Sequence, residues 1–213
     1  MSYPQYSKAE RIADGVVHVF GIGAALTGVW VLFAILDQKL AGGTYTAVAV
    51  YAGALVLMLS ASGAYHILAH TSARPILRRI DHAAIYVKIA GTFTPLTVML
   101  GSGFAYVLLA LVWLLALIGA SAKLMARRGE MGTAWLPYFL LGAAGVLLFV
   151  PLAGVVSLLS LVLMGLGGLL YTVGILFYCW EKLPYANAIW HVFVLAASAS
   201  FFLGITTALA QAR

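Results

Sequence analysis

The sequence predicts an all-α membrane protein, a seven-helix transmembrane bundle that forms one domain over residues 1–213. Of the 213 residues, 64% are hydrophobic and only 8% are charged, so the apolar surface is too large for one soluble core. Only helices and closed barrels span a bilayer, and apolar stretches such as Tyr106–Leu117 lack the alternation of a barrel strand. Both observations favour membrane-spanning helices.

Seven apolar segments approach the length of about 20 residues that crosses a hydrocarbon core of about 30 Å. They are expected at about Val16–Leu36, Thr44–Tyr65, Ala83–Leu100, Phe104–Ala122, Ala134–Val150, Leu152–Phe177 and Ala188–Ala208. The first follows Lys8 and Arg11 directly, which is typical of an uncleaved anchor. Polar or turn residues separate the others, except at Val150-Pro151, where a single proline divides a long apolar run.

Lys and Arg are concentrated on one side of this arrangement. If the amino terminus is cytoplasmic, the inner side carries Lys8, Arg11, Arg74, Arg78, Arg79, Lys123, Arg127, Arg128 and Lys182, and the outer side carries Lys39 and Arg213. This bias predicts a cytoplasmic amino terminus and an external carboxyl terminus. It also explains the excess of 12 basic over 6 acidic residues without nucleic acid binding. Receptors and rhodopsins with seven helices run in the opposite direction.

All five histidines lie where an apolar segment meets a connection on the predicted cytoplasmic side: His18, His66, His70, His82 and His191. Ser62, His66 and His70 recur every four residues and therefore share one face of the second helix. The third segment begins at Asp81-His82. The set of His66, His191 and Asp81 is predicted to bind a divalent metal, with zinc favoured and a fourth position open to water.

Structural interpretations of these residues compete with the metal site. A single interfacial histidine commonly hydrogen-bonds with backbone or lipid, whereas an ionisable group inside a membrane segment is costly unless it is paired. Asp81 is a metal ligand, a base or the N-cap of the third helix. His70 and His82 lie nearer the loop and are expected to be solvated.

Four further polar residues have open roles, and the single cysteine is expected only to pack. Glu10, Asp14 and His18 form a stripe with i, i+4, i+8 spacing, for which structural and supporting roles are equally compatible. Lys88 snorkels toward the cytoplasm or pairs with an acid. Cys179 excludes an intrachain disulfide.

These motifs resemble the haemolysin III family of bacterial membrane proteins, a branch of the progestin and adipoQ receptor superfamily. The matching pieces are Glu10-x3-Asp14-x3-His18, Ser62-x3-His66, Asp81-His82 with Gly91-Thr-Phe-Thr-Pro95, and Ala188-Ile-Trp-His-Val-Phe-Val194. The resemblance implies a multi-pass protein of the bacterial inner membrane. It also implies zinc held by His66 and by a pair of histidines spaced H-x3-H in the seventh helix, beside Ser62 and Asp81.

The chain differs from that pattern at two positions. Asn187 stands at the first histidine of the H-x3-H pair, and Asp14 stands where the family usually has asparagine. His191 supplies the second histidine. Either Asp81 or water then completes the metal shell, or the metal is weakly held or absent.

The resemblance implies a metal-dependent hydrolase that cleaves an amide or ester of a membrane lipid. In such an enzyme the metal activates water and polarises the scissile carbonyl, and Asp81 and Ser62 are the predicted catalytic residues. The alternative is a non-enzymatic membrane-homeostasis or receptor-like protein whose histidines form a structural staple or a pH sensor. A cytolytic pore, suggested by the family name, is disfavoured because so apolar a chain would not leave the cell as a soluble toxin. The sequence predicts neither a substrate nor an oligomeric state.

Overall fold

The computed structural model describes residues 6–36, 42–126, 135–180 and 182–211, and all regular structure in these ranges is helical. The helices are α1 Lys8–Leu36, α2 Gly42–Ile67, α3 Arg74–Leu100, α4 Gly103–Met125, α5 Leu136–Ala143, α6 Val146–Leu152, α7 Leu158–Cys179 and α8 Ala186–Gln211. Six of these helices are long and apolar enough to cross a membrane, and α5 and α6 together form a shorter apolar region over Leu136–Leu152. The predicted all-α membrane class is therefore confirmed.

Helix α3 begins earlier than the sequence predicts. Its first residue is Arg74, and Pro75 occupies the first turn, where the fixed φ of proline suits a helix and its missing N–H costs nothing. Ala73 precedes the helix, and Asp81 lies two turns inside it. The N-cap interpretation of Asp81 is therefore wrong, because the basic first turns of α3 belong to the helix and not to a loop.

The predicted break at Val150-Pro151 is also wrong. Pro151 lies inside α6, and the chain turns instead at residues 153–157. Helix α7 begins after Ser157, whose hydroxyl accepts a hydrogen bond from the backbone N–H of Ser160 at 3.3 Å. This serine is the N-cap signal within the apolar run. A second interruption, at Ala144 and Gly145, separates α5 from α6.

In the bundle, α1 packs against both α2 and α8. The closest partners are α2 with α3, α3 with α4, and α7 with α8. At Gly63 a Cβ atom would lie 2.8 Å from Cδ1 of Ile22, so this glycine permits the close approach of α1 and α2 beside Ser62. Large apolar side chains such as Trp30 and Val150 are exposed on the outside, as expected for a surface that contacts lipid.

The orientation of the bundle in the membrane stays a prediction, as does the assignment of residues 1–213 to one domain. Four of the basic residues that determine the predicted orientation lie outside the described residues: Lys39, Arg127, Arg128 and Arg213.

Candidate metal centre

Three histidines from three helices meet at one end of the bundle. His18 lies in α1, His66 at the end of α2 and His191 near the start of α8. The ring centroids are 4.3 Å apart for His18 and His191, 4.5 Å for His66 and His191, and 5.0 Å for His18 and His66. One ligand nitrogen from each ring lies within 4.8 Å of the other two. We call these residues the histidine cluster.

Asp14 connects the members of the histidine cluster. Its carboxylate accepts a hydrogen bond from Nδ1 of His191 at 2.6 Å, and its other oxygen lies 3.1 Å from Nδ1 of His66. The backbone carbonyl of Asp14 accepts from Nδ1 of His18, one helical turn later, at 2.8 Å. The whole residue is only 7% exposed, so these contacts are made away from water. A single residue therefore contacts all three imidazoles.

Asn187 joins the same network from α8. Its Nδ2 donates a hydrogen bond to Oδ2 of Asp14 at 2.9 Å and lies 3.2 Å from Nδ1 of His66. The position of α8 is fixed partly by Glu10, which accepts a hydrogen bond from the backbone N–H of Tyr185 at 3.0 Å. Glu10 also forms a reciprocal cap with Ser7 at the start of α1. Glu10 therefore has a structural role that holds the start of α1 against the start of α8.

Ser62 and Asp81 lie beside the histidine cluster. Both are buried, and Oγ of Ser62 lies 3.2 Å from Nε2 of His18. The side chain of Asp81 lies near the Ser62 hydroxyl. Because Ser62 precedes His66 by one turn of α2, the helix presents both residues to the same space. The carboxyl group of Asp81 is thus connected to the imidazoles through one hydroxyl.

Two cavities flank the histidine cluster. One is small and is lined by His18, Ser62 and His191 together with apolar residues such as Met58 and Val194. The other is also small and is lined mainly by polar residues, including Glu10, Arg11, Asp14, His66 and Asn187. The histidines therefore lie at a boundary between apolar and polar surroundings.

The structure brings together two of the three predicted metal residues, His66 and His191. His18, to which the sequence assigned only a structural or supporting role, completes the group of converging ligand atoms. The available signal was the spacing of Glu10, Asp14 and His18, which places a histidine of α1 at the same depth as the others. The predicted ligand set that includes Asp81 stays a prediction.

The two remaining histidines lie away from the cluster. His70 is exposed, as expected, and contacts the guanidinium of Arg11 through Nε2. His82 is half-buried, with Nδ1 3.3 Å from the hydroxyl of Tyr138.

Lys88 and Cys179 also differ from expectation. The Nζ atom of Lys88 lies 4.5 Å from the ring centroid of Tyr171 and 5.2 Å from that of Phe201, and the residue is 5% exposed. Its ammonium group therefore faces aromatic rings, in place of the interface or the acid considered from the sequence. Cys179, expected to be a packing residue, is exposed at the end of α7.

Comparison with known proteins identifies the family. The sequence profile described as "Haemolysin-III related" matches residues 6–202. The chain belongs to the haemolysin III family. "Hemolysin-3 homolog" of Bacillus subtilis (strain 168) is 35% identical over 196 residues, which cover 91% of each chain. "Hemolysin-3" of Bacillus cereus is also 35% identical over 196 residues, covering 91% of this chain and 89% of the relative. These matches confirm the resemblance and support a multi-pass membrane protein.

The donor set of this haemolysin III protein fits a zinc-type ion. Three neutral imidazoles are a known ligand set of catalytic zinc, and zinc-bound histidines usually donate their second N–H to a carboxylate or a backbone carbonyl. Asp14 provides both kinds of acceptor, with its carboxylate for His191 and its carbonyl for His18. The residues that would hold the ion are His18, His66 and His191.

Proposed function

We propose that this protein is a zinc-dependent membrane hydrolase that cleaves an amide or ester bond of a membrane lipid. The observation that carries the proposal is the convergence of three imidazoles, with one nitrogen of each within 4.8 Å of the other two, beside the buried carboxyl group of Asp81. Buried ionisable groups in membrane helices are costly and usually serve a function. Here they are concentrated in one place.

In the proposed reaction His18, His66 and His191 hold the ion and Asp81 handles the proton. Bound zinc supplies Lewis acidity, which polarises a carbonyl group and makes water more acidic. A carboxylate oxygen of Asp81 accepts the proton of the attacking water and later returns it to the leaving amine or alcohol. The hydroxyl of Ser62, which lies near Asp81, donates a hydrogen bond to its carboxylate and orients it when Nε2 of His18 is bound to the ion.

The surroundings of the histidine cluster support a lipid substrate. The side chains beside His18 and His191 include the apolar residues Met58, Leu59 and Val194, which are of the kind that contacts the chain of a lipid. The cavity on the other side of the cluster carries Arg11 and Asn187 and suits a polar head group. A scissile bond between an acyl chain and a polar group would then lie at the histidines.

The metal content of the purified protein tests this proposal directly. We expect about one zinc per chain in the wild type and in His70→Ala, because His70 is exposed and lies outside the histidine cluster. His66→Ala should lose the zinc and, in proteoliposomes analysed by mass spectrometry, the release of fatty acid from lipid. A wild type without stoichiometric metal, or lipid cleavage that survives His66→Ala, would refute the proposal.

A non-enzymatic role is the second candidate, and one observation favours it. The hydrogen bonds of Asp14 with His191 and Asn187 link α1 to α8 without any ion. Such a network stabilises a helix bundle by itself. This role predicts that His66→Ala and His191→Ala lower the melting temperature in detergent while every tested lipid stays intact.

A further inference from the structure

We propose that Asp14 is the positioning residue of the metal centre: it fixes the tautomers of the three histidines so that Nε2 of each ring is left to bind the ion. This inference rests on the zinc site proposed above and adds to it the residue that prepares the site. Nothing in the catalytic roles of Asp81 and Ser62 requires Asp14.

The argument starts from what each atom can do in a hydrogen bond. A backbone carbonyl and an ionised carboxylate only accept. Nδ1 of His18 lies 2.8 Å from the carbonyl of Asp14, and Nδ1 of His191 lies 2.6 Å from its carboxylate. In both rings Nδ1 must therefore carry the proton. A neutral imidazole then has its lone pair on Nε2.

Nδ1 of His66 has two neighbours, one that requires it to donate a hydrogen bond and one that requires it to accept. Its Nδ1 lies 3.1 Å from Oδ2 of Asp14, which needs a donor, and 3.2 Å from Nδ2 of Asn187, which needs an acceptor. A hydrogen bond to an ionised acceptor is about twice as strong as one between neutral groups. Asn187 already has an acceptor, because its Nδ2 donates to the same Asp14 oxygen at 2.9 Å. Asp14 therefore determines the tautomer of His66 as well.

The same contacts assign Asp14 a role through the histidines, because its carboxylate faces Nδ1 of His191 and Nδ1 of His66. Both of its carboxylate oxygens already accept hydrogen bonds, Oδ1 from His191 and Oδ2 from Asn187. Outer hydrogen-bond partners of this kind orient metal ligands, and their loss typically lowers metal affinity by about 10–100-fold.

Replacing the carboxylate with an amide separates this role from a general structural one. In Asp14→Asn the new side chain has one accepting oxygen and one donating NH2 group. If the oxygen accepts from His191, the NH2 group faces Nδ1 of His66 and the NH2 of Asn187. His66 must then take the other tautomer, with its proton on Nε2, and it loses its ligand lone pair.

Two further variants make the test specific. Glu10→Gln is the matched control, because it makes the same chemical change one turn earlier in α1, at a side chain whose hydrogen bonds are to the N–H groups of Tyr185 and Ser7 and not to a histidine; it keeps one oxygen for Tyr185 and gives up the bond to Ser7. The exchange variant Asp14→Asn with Asn187→Asp moves the carboxylate to the neighbouring position of the same hydrogen bond, within reach of Nδ1 of His66. This exchange should restore an acceptor for every Nδ1.

The measurements are the zinc dissociation constant of the full-length chain, by chelator competition, and ¹⁵N NMR of the imidazoles in metal-free protein. We expect Glu10→Gln to match the wild type and Asp14→Asn to bind zinc about 100-fold more weakly. The exchange variant should return to within about 10-fold of the wild type. NMR should show protons on Nδ1 of His18, His66 and His191 in the wild type.

Two results would overturn the inference: zinc affinity of Asp14→Asn equal to that of Glu10→Gln, or wild-type imidazoles protonated on Nε2. If the wild type takes up no zinc, the proposed function fails on its own. The NMR measurement then decides the tautomer assignment separately, since it needs no metal.

Discussion

In the proposed zinc site, the third ligand beside His66 and His191 determines which residue is left for proton transfer. The ring of His18 lies 4.3 Å from that of His191, centroid to centroid, whereas Asp81 reaches the cluster through the hydroxyl of Ser62. That hydroxyl has a single hydrogen, which it can donate either to Nε2 of His18 or to Asp81. If zinc occupies Nε2 of His18, the hydrogen is free for Asp81. In the proposed site, zinc binding by His18 and the orientation of the Asp81 carboxylate would therefore be linked through Ser62.

Substitutions at His18 and Asp81 should accordingly have different effects. We expect His18→Ala to abolish zinc uptake, because it removes a ligand. Asp81→Asn should keep the zinc but slow lipid hydrolysis by about 10²–10⁴-fold, the usual contribution of a general base. Elemental analysis and a lipid hydrolysis assay on the same preparations distinguish the two. Zinc lost in Asp81→Asn and kept in His18→Ala would instead support the ligand set of His66, His191 and Asp81.

The sequence predicts part of this site because some of its signals are local. His66 and His191 stand a few residues inside apolar segments, where an unpaired imidazole is unfavourable. The partnership of His18 is not local: its contact with Ser62 joins residues 44 apart, and the contact of Asp14 with His191 joins residues 177 apart. Periodicity places residues on a helix face, but the choice of neighbouring helices is a property of tertiary packing.

For single helices, the sequence predicts that each apolar helix exists but does not predict the residues at which it begins and ends. Every predicted apolar segment corresponds to a helix or, over Leu136–Leu152, to the pair α5 and α6. The early start of α3 and the passage of α6 through Pro151 follow from local chemistry at Pro75 and Ser157. These signals are weak beside the long apolar runs. The ends matter here because they move Asp81 from a cap position to the interior of α3.

The packing of α2 on α3 depends on Gly91. A Cβ atom there would lie 2.6 Å from Cβ of Ala54 and 3.5 Å from the carbonyl oxygen of Val50. Gly91→Ala should therefore force the helices apart and lower the free energy of unfolding by about 1–3 kcal/mol, the usual cost of overpacking. Gly53→Ala is the control, since a Cβ at Gly53 meets nothing within 4 Å. Thermal unfolding in detergent measures both, and equal melting temperatures would contradict the close contact.

At the scale of the whole molecule, the course of the chain places the two ends of the bundle. Helices α1 and α8 both begin at the histidine end, since Asp14 of α1 bonds with Asn187 in the first turn of α8. Helix α5 begins near that end too, because Tyr138 contacts His82 of α3. Helix α7 ends just before α8 begins, so it starts at the far end. The region α5 and α6 must therefore run from the histidine end to the far end.

This course predicts that α5 and α6 cross the membrane together, although they are short. Residues 136–152 extend about 25 Å at 1.5 Å per residue, against a hydrocarbon core of about 30 Å. With that crossing the number of spans is odd, and the basic connections then predict a cytoplasmic amino terminus and an external carboxyl terminus.

Alkaline phosphatase, which is active only outside the cytoplasm, should be active when fused after Gly154 or Arg213. It should be inactive after Ser72, between α2 and α3. An active fusion after Ser72 together with an inactive fusion after Gly154 would show that the bundle is inverted. Inactivity after both Gly154 and Arg213 would show that α5 and α6 do not span. Gly154 would then lie on the inner side because the chain has not crossed before it, and Arg213 would lie there because the total number of spans is even.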